Sequence, residues 1–223
     1  MNAILIATGE HVCPPALESA VRARGVTVHR SVPDAAAIAR LCFGGPSLVL
    51  LDESDAGAAL LAGAMTALGF QVVVRGDHEG KLPDGPGLRL PPGLSPEVEA
   101  HHLCDVLRTA NEARRHPRVP WRGQAIINGV EVQILDISPF GLRIHGASWP
   151  DAGEHVVTVR LGASGPEIRL LAQAAGRHGD DLALRCRPER DVDLVLWVDL
   201  ILRELASSPK HRESDPFGPL FEP

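Results

Sequence analysis

The sequence predicts two domains followed by a tail. Residues 1–112 read as an α/β domain on a parallel sheet, residues 113–206 as a six-stranded antiparallel β-barrel with a C-terminal helix, and residues 207–223 as a flexible tail. Three observations carry this. The first half alternates short apolar runs with Ala-rich helical stretches, the pattern of a parallel sheet covered by helices. The second half holds six short strand-like runs separated by turn residues, too close together for helices between them. The 223-residue length suits one large domain or two small ones, and either can bury a core.

Taken in order, residues 3–7 form a buried-strand run, 15–24 a helix and 26–28 a short strand. Residues 34–42 form a helix that starts at Pro33-Asp34. Residues 47–51 (SLVLL) make a second buried strand, 57–68 a helix ended by Gly69, and 70–74 a third buried strand. The stretch 76–93 is crowded with Gly and Pro and reads as loop, enclosing a short strand at 87–90. Ser95-Pro96-Glu97 starts a helix that runs to about residue 113, with serine as cap and proline in the first turn. The barrel strands lie at 124–127, 130–137, 142–145, 155–161, 168–174 and 182–187, and Pro188 ends the last. Residues 191–206 form the closing helix. Its Val192, Val195, Leu196, Val198, Ile201, Leu202 and Leu205 spread over more than one face. Packing on the barrel takes one face, and the surplus is available to join two subunits in a homodimer.

Composition excludes several classes. With 22 basic and 28 acidic residues the net charge is −6, whereas a nucleic-acid-binding domain is basic. Aromatics are 4% and tyrosine is absent, which leaves little for stacking single strands. The 44% apolar and 22% charged content is that of a globular chain rather than a disordered one. The start lacks a basic segment and its apolar run is too short for a secretory signal. No stretch approaches the roughly 18 apolar residues of a membrane helix, and the richest, 192–202, is interrupted by Asp193 and Asp199. Cys13, Cys42, Cys104 and Cys186 lie far apart with no CxxC, and read as reduced thiols of a cytoplasmic protein. His101, His102 and Cys104 sit at a helical spacing that does not converge, so no metal site is expected.

The basic residues cluster. Arg114, Arg115, Arg118 and Arg122 fall in a stretch without an acid, and His116 adds a further donor. Arginine forks grip phosphate or a guanine edge. Asn128-Gly129 between Ile127 and Val130 signals a two-residue type I′ hairpin. An uninterrupted register from that turn sets Arg122 opposite Leu135 and Arg118 opposite Pro139. The arginine segment is thereby carried to the end of the hairpin that holds Asp136-Ile137-Ser138-Pro139-Phe140-Gly141. There a carboxylate and a hydroxyl on one strand face meet arginines, and Gly141 lets the chain turn or a ligand approach closely. The set suits an anionic guanine nucleotide, and without a nucleophile–base pair it points away from catalysis. A purely structural alternative has Asp136 pair with Arg118 and Ser138 close a turn.

Arg114-x-x-x-Arg118 followed by Asp136-x-Ser138-x-x-Gly141, with strands between, resembles the PilZ domain family over residues 112–206. Its members are six-stranded barrels with a C-terminal helix, and many bind cyclic di-GMP. The resemblance implies that Arg114 and Arg118, with Arg115 as companion, hold phosphates and guanine faces. It also implies that Asp136 and Ser138 read a guanine edge and that Gly141 keeps the turn open. The first half resembles, over fewer residues, a flavodoxin-like response-regulator receiver. Residues 47–52 (SLVLLD) end at Asp52, in the place of the phospho-acceptor, and 87–91 (GLRLP) look like the last strand. It departs from that family where Ala7-Thr8-Gly9-Glu10 stands in place of an acidic pair, Arg75 in place of Thr or Ser, and Leu90 in place of Lys. Mg²⁺ would be poorly held there, which implies a pseudo-receiver used for protein contact. The functional expectation is a cytoplasmic, non-enzymatic cyclic di-GMP effector without cofactor or metal. Nucleotide binding changes its domain arrangement or its contacts with a downstream protein. The alternatives are a nucleotide-independent PilZ-like scaffold in motility or pilus regulation, and a response regulator phosphorylated at Asp52.

Overall fold

The computed structural model describes residues 3–42, 46–76, 88–90, 93–112, 117–146, 149, 153–162 and 164–208, the side chains of 109–112 excepted. The chain separates into two compact units, with the division between residues 115 and 116.

The first unit is a parallel sheet of β1 (Ile4–Ala7), β2 (Thr27–Arg30), β3 (Ser47–Asp52), β4 (Gln71–Arg75) and β5 (Leu88–Leu90). Its order β2-β1-β3-β4-β5 is flavodoxin-like. The helices are α1 (Pro15–Arg22), α2 (Ala35–Cys42), α3 (Ala58–Ala67) and α4 (Pro96–Glu112). β1, β3 and β4 are apolar along their length because both faces are covered. Leu5, Ala7, Leu48, Leu50 and Val73 share a core with Leu17 and Val21 of α1 and Leu103 and Leu107 of α4. By alternation Ile6, Val49 and Leu51 face the other way, where α2 and α3 bury Ile38, Ala39, Leu61 and Met65.

Local chemistry sets the helix ends. The Asp34 carboxylate accepts a hydrogen bond from Ala37 N at 2.8 Å, and the Ser95 hydroxyl one from Val98 N at 3.4 Å. Gly69 terminates α3 with a φ of 82°, a left-handed conformation that glycine adopts without strain. β2 departs from the expected 26–28. Parallel pairing with β1 from Ile4↔Thr27 to Ala7↔Arg30 carries it on through polar His29 and Arg30, because an edge strand buries less. The strand expected at 87–90 is met by β5, while residues 77–87 and 91–92 of the expected Gly/Pro-rich loop lie outside the described residues. The tail predicted from 207 lies, beyond Ser208, outside them as well.

The second unit contains β6 (Val119–Pro120), β7 (Gln124–Ile127), β8 (Val130–Ser138), β9 (Gly141–His145), β10 (Glu154–Arg160), β11 (Glu167–His178) and β12 (Asp181–Pro188). The order β8-β7-β10-β11-β12-β9 returns to β8 through a β8–β9 ladder and closes a six-stranded barrel. Closure leaves those six strands without a free edge. β6 is a seventh, two-residue strand paired with the end of β8. Asn128 and Gly129, with φ of 51° and 79°, form the type I′ turn joining β7 to β8. The barrel is filled by inward residues such as Val132, Ile134, Leu142, Ile144, Val157 and Leu170. The closing helix α5 (Asp191–Ser207) buries Leu194, Trp197, Val198, Ile201 and Leu205, and leaves Val192 and Val195 exposed. Among the described residues no helix is long and apolar enough to cross a membrane.

All four cysteines are free. Burial pushes the thiol of Cys13 up to about 11 and those of Cys42 and Cys186 up to about 12. Cys104 is only half-buried.

One buried acid ties α5 to the barrel. Asp193, wholly buried, accepts hydrogen bonds from Arg169 N at 2.9 Å, from Arg190 N at 3.1 Å, and from the Arg190 guanidinium at 2.6 and 2.9 Å. Reaching back to Arg190 N from the third helical position closes one half of a capping box. Burial pushes the Asp193 carboxyl up, but the Arg190 guanidinium and the two backbone donors outweigh it and hold the group below its ordinary value. A carboxylate that is harder to protonate when folded stabilises the fold at neutral pH. That contribution is lost as pH falls below the unfolded value, about 3.9, and through the folded one. Asp193→Asn is expected to cost about 2 kcal/mol at pH 7, and its Tm deficit should narrow as pH is lowered below about 4. Thermal melts across that range check this, and a deficit that does not change with pH would remove the charge from the account.

Candidate functional site

The site is made by two irregularities in strand pairing. Val132 and Ile134 of β8 point into the barrel, and strict alternation would send Asp136 and Ser138 in after them. Instead the β8–β9 register shifts by one between Ile134↔Ile144 and Asp136↔Arg143, so that Leu135 is an extra residue, a β-bulge. Beyond it Ile137 takes the inward position and is wholly buried, while Asp136 and Ser138 emerge on the outward face of Arg143.

A second slip lies on the other edge of β8. The hairpin register holds from Ile127↔Val130 to Gln124↔Gln133, after which Pro120 pairs with Asp136 and Val119 with Ile137. Residues 121–123 absorb one extra residue, with Trp121 N donating to Leu135 O at 3.1 Å and Ile134 N to Gly123 O at 2.9 Å. The uninterrupted register expected from the turn is therefore corrected. Arg122 lies within the slipped segment rather than opposite Leu135, and Arg118 comes across from Ser138 rather than Pro139. Because a one-residue slip exchanges the faces of a strand, this second irregularity brings Arg118 onto the Asp136 side.

The resulting contacts form a connected chain. Arg118 Nη1 lies 2.6 Å from Asp136 Oδ1, and Arg143 Nε 2.7 Å from Asp136 Oδ2. Arg143 Nη1 is 3.8 Å from Asp181 Oδ2, and His145 Nδ1 is 2.8 Å from Asp181 Oδ1. The Asp136 side chain is 8% exposed, whereas those of Arg118 and Arg143 are 49% and 44% exposed. A buried carboxylate is thus held between two guanidinium groups that reach solvent. Ser138 Oγ donates to Gly141 O at 3.1 Å. Both parts of the structural alternative, the Arg118–Asp136 pair and the serine-closed turn, are therefore present.

Gly141 differs from expectation. Its φ lies outside the left-handed range, and a Cβ placed on it would stand 2.2 Å from the backbone oxygen of Leu184. A close approach that demands glycine is made by the neighbouring strand β12 rather than required by the turn dihedrals. The preceding Pro139-Phe140 loop is tethered as well. Phe140 O accepts from Cys186 N at 2.8 Å, and Pro139 O from Trp197 Nε1 of α5 at 3.2 Å.

Of the residues expected at the site, Arg118, Asp136, Ser138 and Gly141 come together at one end of β8 and β9. Arg114 and Arg115, with His116, lie outside the described residues. Sequence reasoning missed Arg143, Asp181 and His145. The available signal was position, since Arg143 follows Gly141 by two residues and so shares its strand face.

Asp52, the other candidate, ends β3 in the first unit. Its Oδ1 accepts from Ser54 N at 2.9 Å and from the Ser54 hydroxyl at 2.5 Å. Burial pushes its carboxyl up, but these bonds, with His11 and Arg75 nearby, leave it below its ordinary value. Arg75 is committed elsewhere, donating to Val12 O at 2.7 Å and lying 2.8 Å from Glu99 Oε1. Among the described residues no three His, Cys, Asp or Glu side chains are placed to share a metal ion. His101 and His102 are exposed, His101 lying 3.3 Å from Asp105, and Cys104 packs against the core.

No family model matches the chain, and no curated protein matches it.

The Gly141 contact is directly testable. Gly141→Ala forces backbone against backbone and is expected to destabilise the barrel by about 1–3 kcal/mol, the usual cost of overpacking. Gly176→Ala, where an added Cβ meets nothing within 4 Å, should be nearly neutral. Equal melting temperatures for the two variants would contradict the steric account.

Proposed function

We propose that this protein is a cytoplasmic cyclic di-GMP effector of the PilZ type, acting by ligand binding rather than catalysis, with the first unit serving as a protein-contact module. The observation that supports it is the convergence of Arg118, Asp136, Ser138 and Arg143 on one outward strand face, within the spacing Arg114-x-x-x-Arg118 and Asp136-x-Ser138-x-x-Gly141. A carboxylate accepts the N–H donors of a guanine edge, and guanidinium forks take phosphate oxygens or the guanine O6 and N7. The Arg118 side chain is half-exposed and so has room to turn toward a ligand. Asp136 keeps Arg143 as a partner when Arg118 turns away. Arg118 follows the division at 115/116 closely in sequence. A ligand gripped there acts on the segment that joins the units, and a downstream protein responds to the change.

Calorimetric titration with cyclic di-GMP tests this. The wild-type protein is expected to bind with micromolar or tighter affinity, and Arg118→Ala and Asp136→Ala to bind at least tenfold more weakly. Affinity should fall as salt is raised, since charge pairing is screened. Absence of binding by a protein shown to be folded would overturn the reading in favour of a scaffold whose arginines serve only as ion-pair partners.

A further inference from the structure

The charges on the outward face do not balance in the same way on each strand. Arg118 and Arg143 are both engaged by Asp136, and Arg143 also lies near Asp181. On β12, Arg187 is held by Glu154 through two hydrogen bonds, at 3.2 and 2.9 Å. Arg185, two residues before it on the same face, is exposed and has no hydrogen-bonding or ion-pair partner among the described residues. Its register is specific. Arg185 pairs with Gly141, which in turn pairs with Ser138. Continuing the β6–β8 pairing sets Arg118 across from Ser138.

The row across the sheet therefore reads Arg118, Ser138, Gly141, Arg185. Gly141 is buried beneath the backbone of β12, so the two side chains of the row that reach solvent are the arginines at its ends. Neighbouring strands lie about 4.8 Å apart, so Arg118 and Arg185, three spacings apart, are separated by roughly 14 Å, a span that two guanidinium arms reaching toward each other cover in large part. An anion resting on the outer surface between the ends of this row would be met from one side by Arg118 and from the other by Arg185. Arg185 need not break an existing ion pair to meet it.

We infer that Arg185 is a further ligand-binding residue of this site, gripping a phosphate of the cyclic dinucleotide with its guanidinium fork. The inference rests on the proposed function, and it adds a strand that the Arg-x-x-x-Arg and Asp-x-Ser-x-x-Gly spacings do not include. A fork at this position is not equivalent to a lysine, which offers a point charge without the two parallel donors.

The test is titration of the full chain with cyclic di-GMP, comparing wild type, Arg185→Ala, Arg185→Lys and Arg160→Ala. Arg160 lies on β10, separated from β12 by β11, and serves as the charge-matched control. The expected result is at least a tenfold loss for Arg185→Ala, partial recovery in Arg185→Lys and wild-type affinity for Arg160→Ala. The gap between wild type and Arg185→Ala should narrow as salt is raised. Melting temperatures within a degree or two of wild type would confirm intact folds, as expected for an exposed side chain. If wild type binds and Arg185→Ala binds equally well, the role of Arg185 is overturned while the proposed function stands. If wild type does not bind, both fall.

Discussion

Leu135 is one residue more than the β8–β9 ladder can pair, and the chemistry of the second unit depends on that surplus. Without it the two-residue period of β8 would drive Asp136 and Ser138 into a barrel lined by Val132, Ile134 and Ile144. An unpaired carboxylate there would meet a desolvation cost of several kcal/mol. With it, Ile137 supplies the inward apolar group and the carboxylate is handed to two arginines at the surface. The slip at residues 121–123 is its counterpart on the opposite edge of β8, and it decides which face Arg118 occupies. Bulges are common next to functional positions because they re-aim a side chain without disturbing the strands on either side.

The same region is fixed from behind. The loop joining β8 to β9 is held by Trp197, the largest wholly buried side chain, through its indole N–H, and by Cys186 of β12 through its backbone. Trp197 belongs to α5, whose start is pinned to β11 by Asp193. The site is thus connected to the closing helix by a short run of hydrogen bonds and close packing. Its backbone is positioned by the core, and only the arginine arms have room to move.

Much of this was legible in the sequence. The apolar runs located the central strands because both faces of that sheet are buried. Asn128-Gly129 located the hairpin because left-handed dihedrals restrict the residues that fit. Asp136, Ser138, Gly141 and Arg118 were found by spacing. The bulges were not legible, since a β-bulge leaves no residue signature stronger than the break in alternation at Ile137. Arg143, Asp181 and His145 were missed for a different reason. Each is an ordinary polar residue at an outward strand position, and they become neighbours only because β9 pairs with both β8 and β12 when the barrel closes. Gly141 was recognised as special, but the approach of Leu184 was not foreseen, because it is a fact of that closure rather than of local sequence.

The thiols offer a practical consequence. Cys13, Cys42 and Cys186 are buried and, with pKa values pushed up to about 11 and 12, are nearly all protonated at neutral pH. A maleimide attacks thiolate at accessible sulfur, and of the four, Cys104 of α4 is the least buried, although burial pushes its thiol up too. Cys104 is therefore the native thiol to try as an attachment point for a fluorophore or spin label in the first unit. One engineered cysteine on the barrel would complete a distance ruler across the division at 115/116 with the native cysteines left in place.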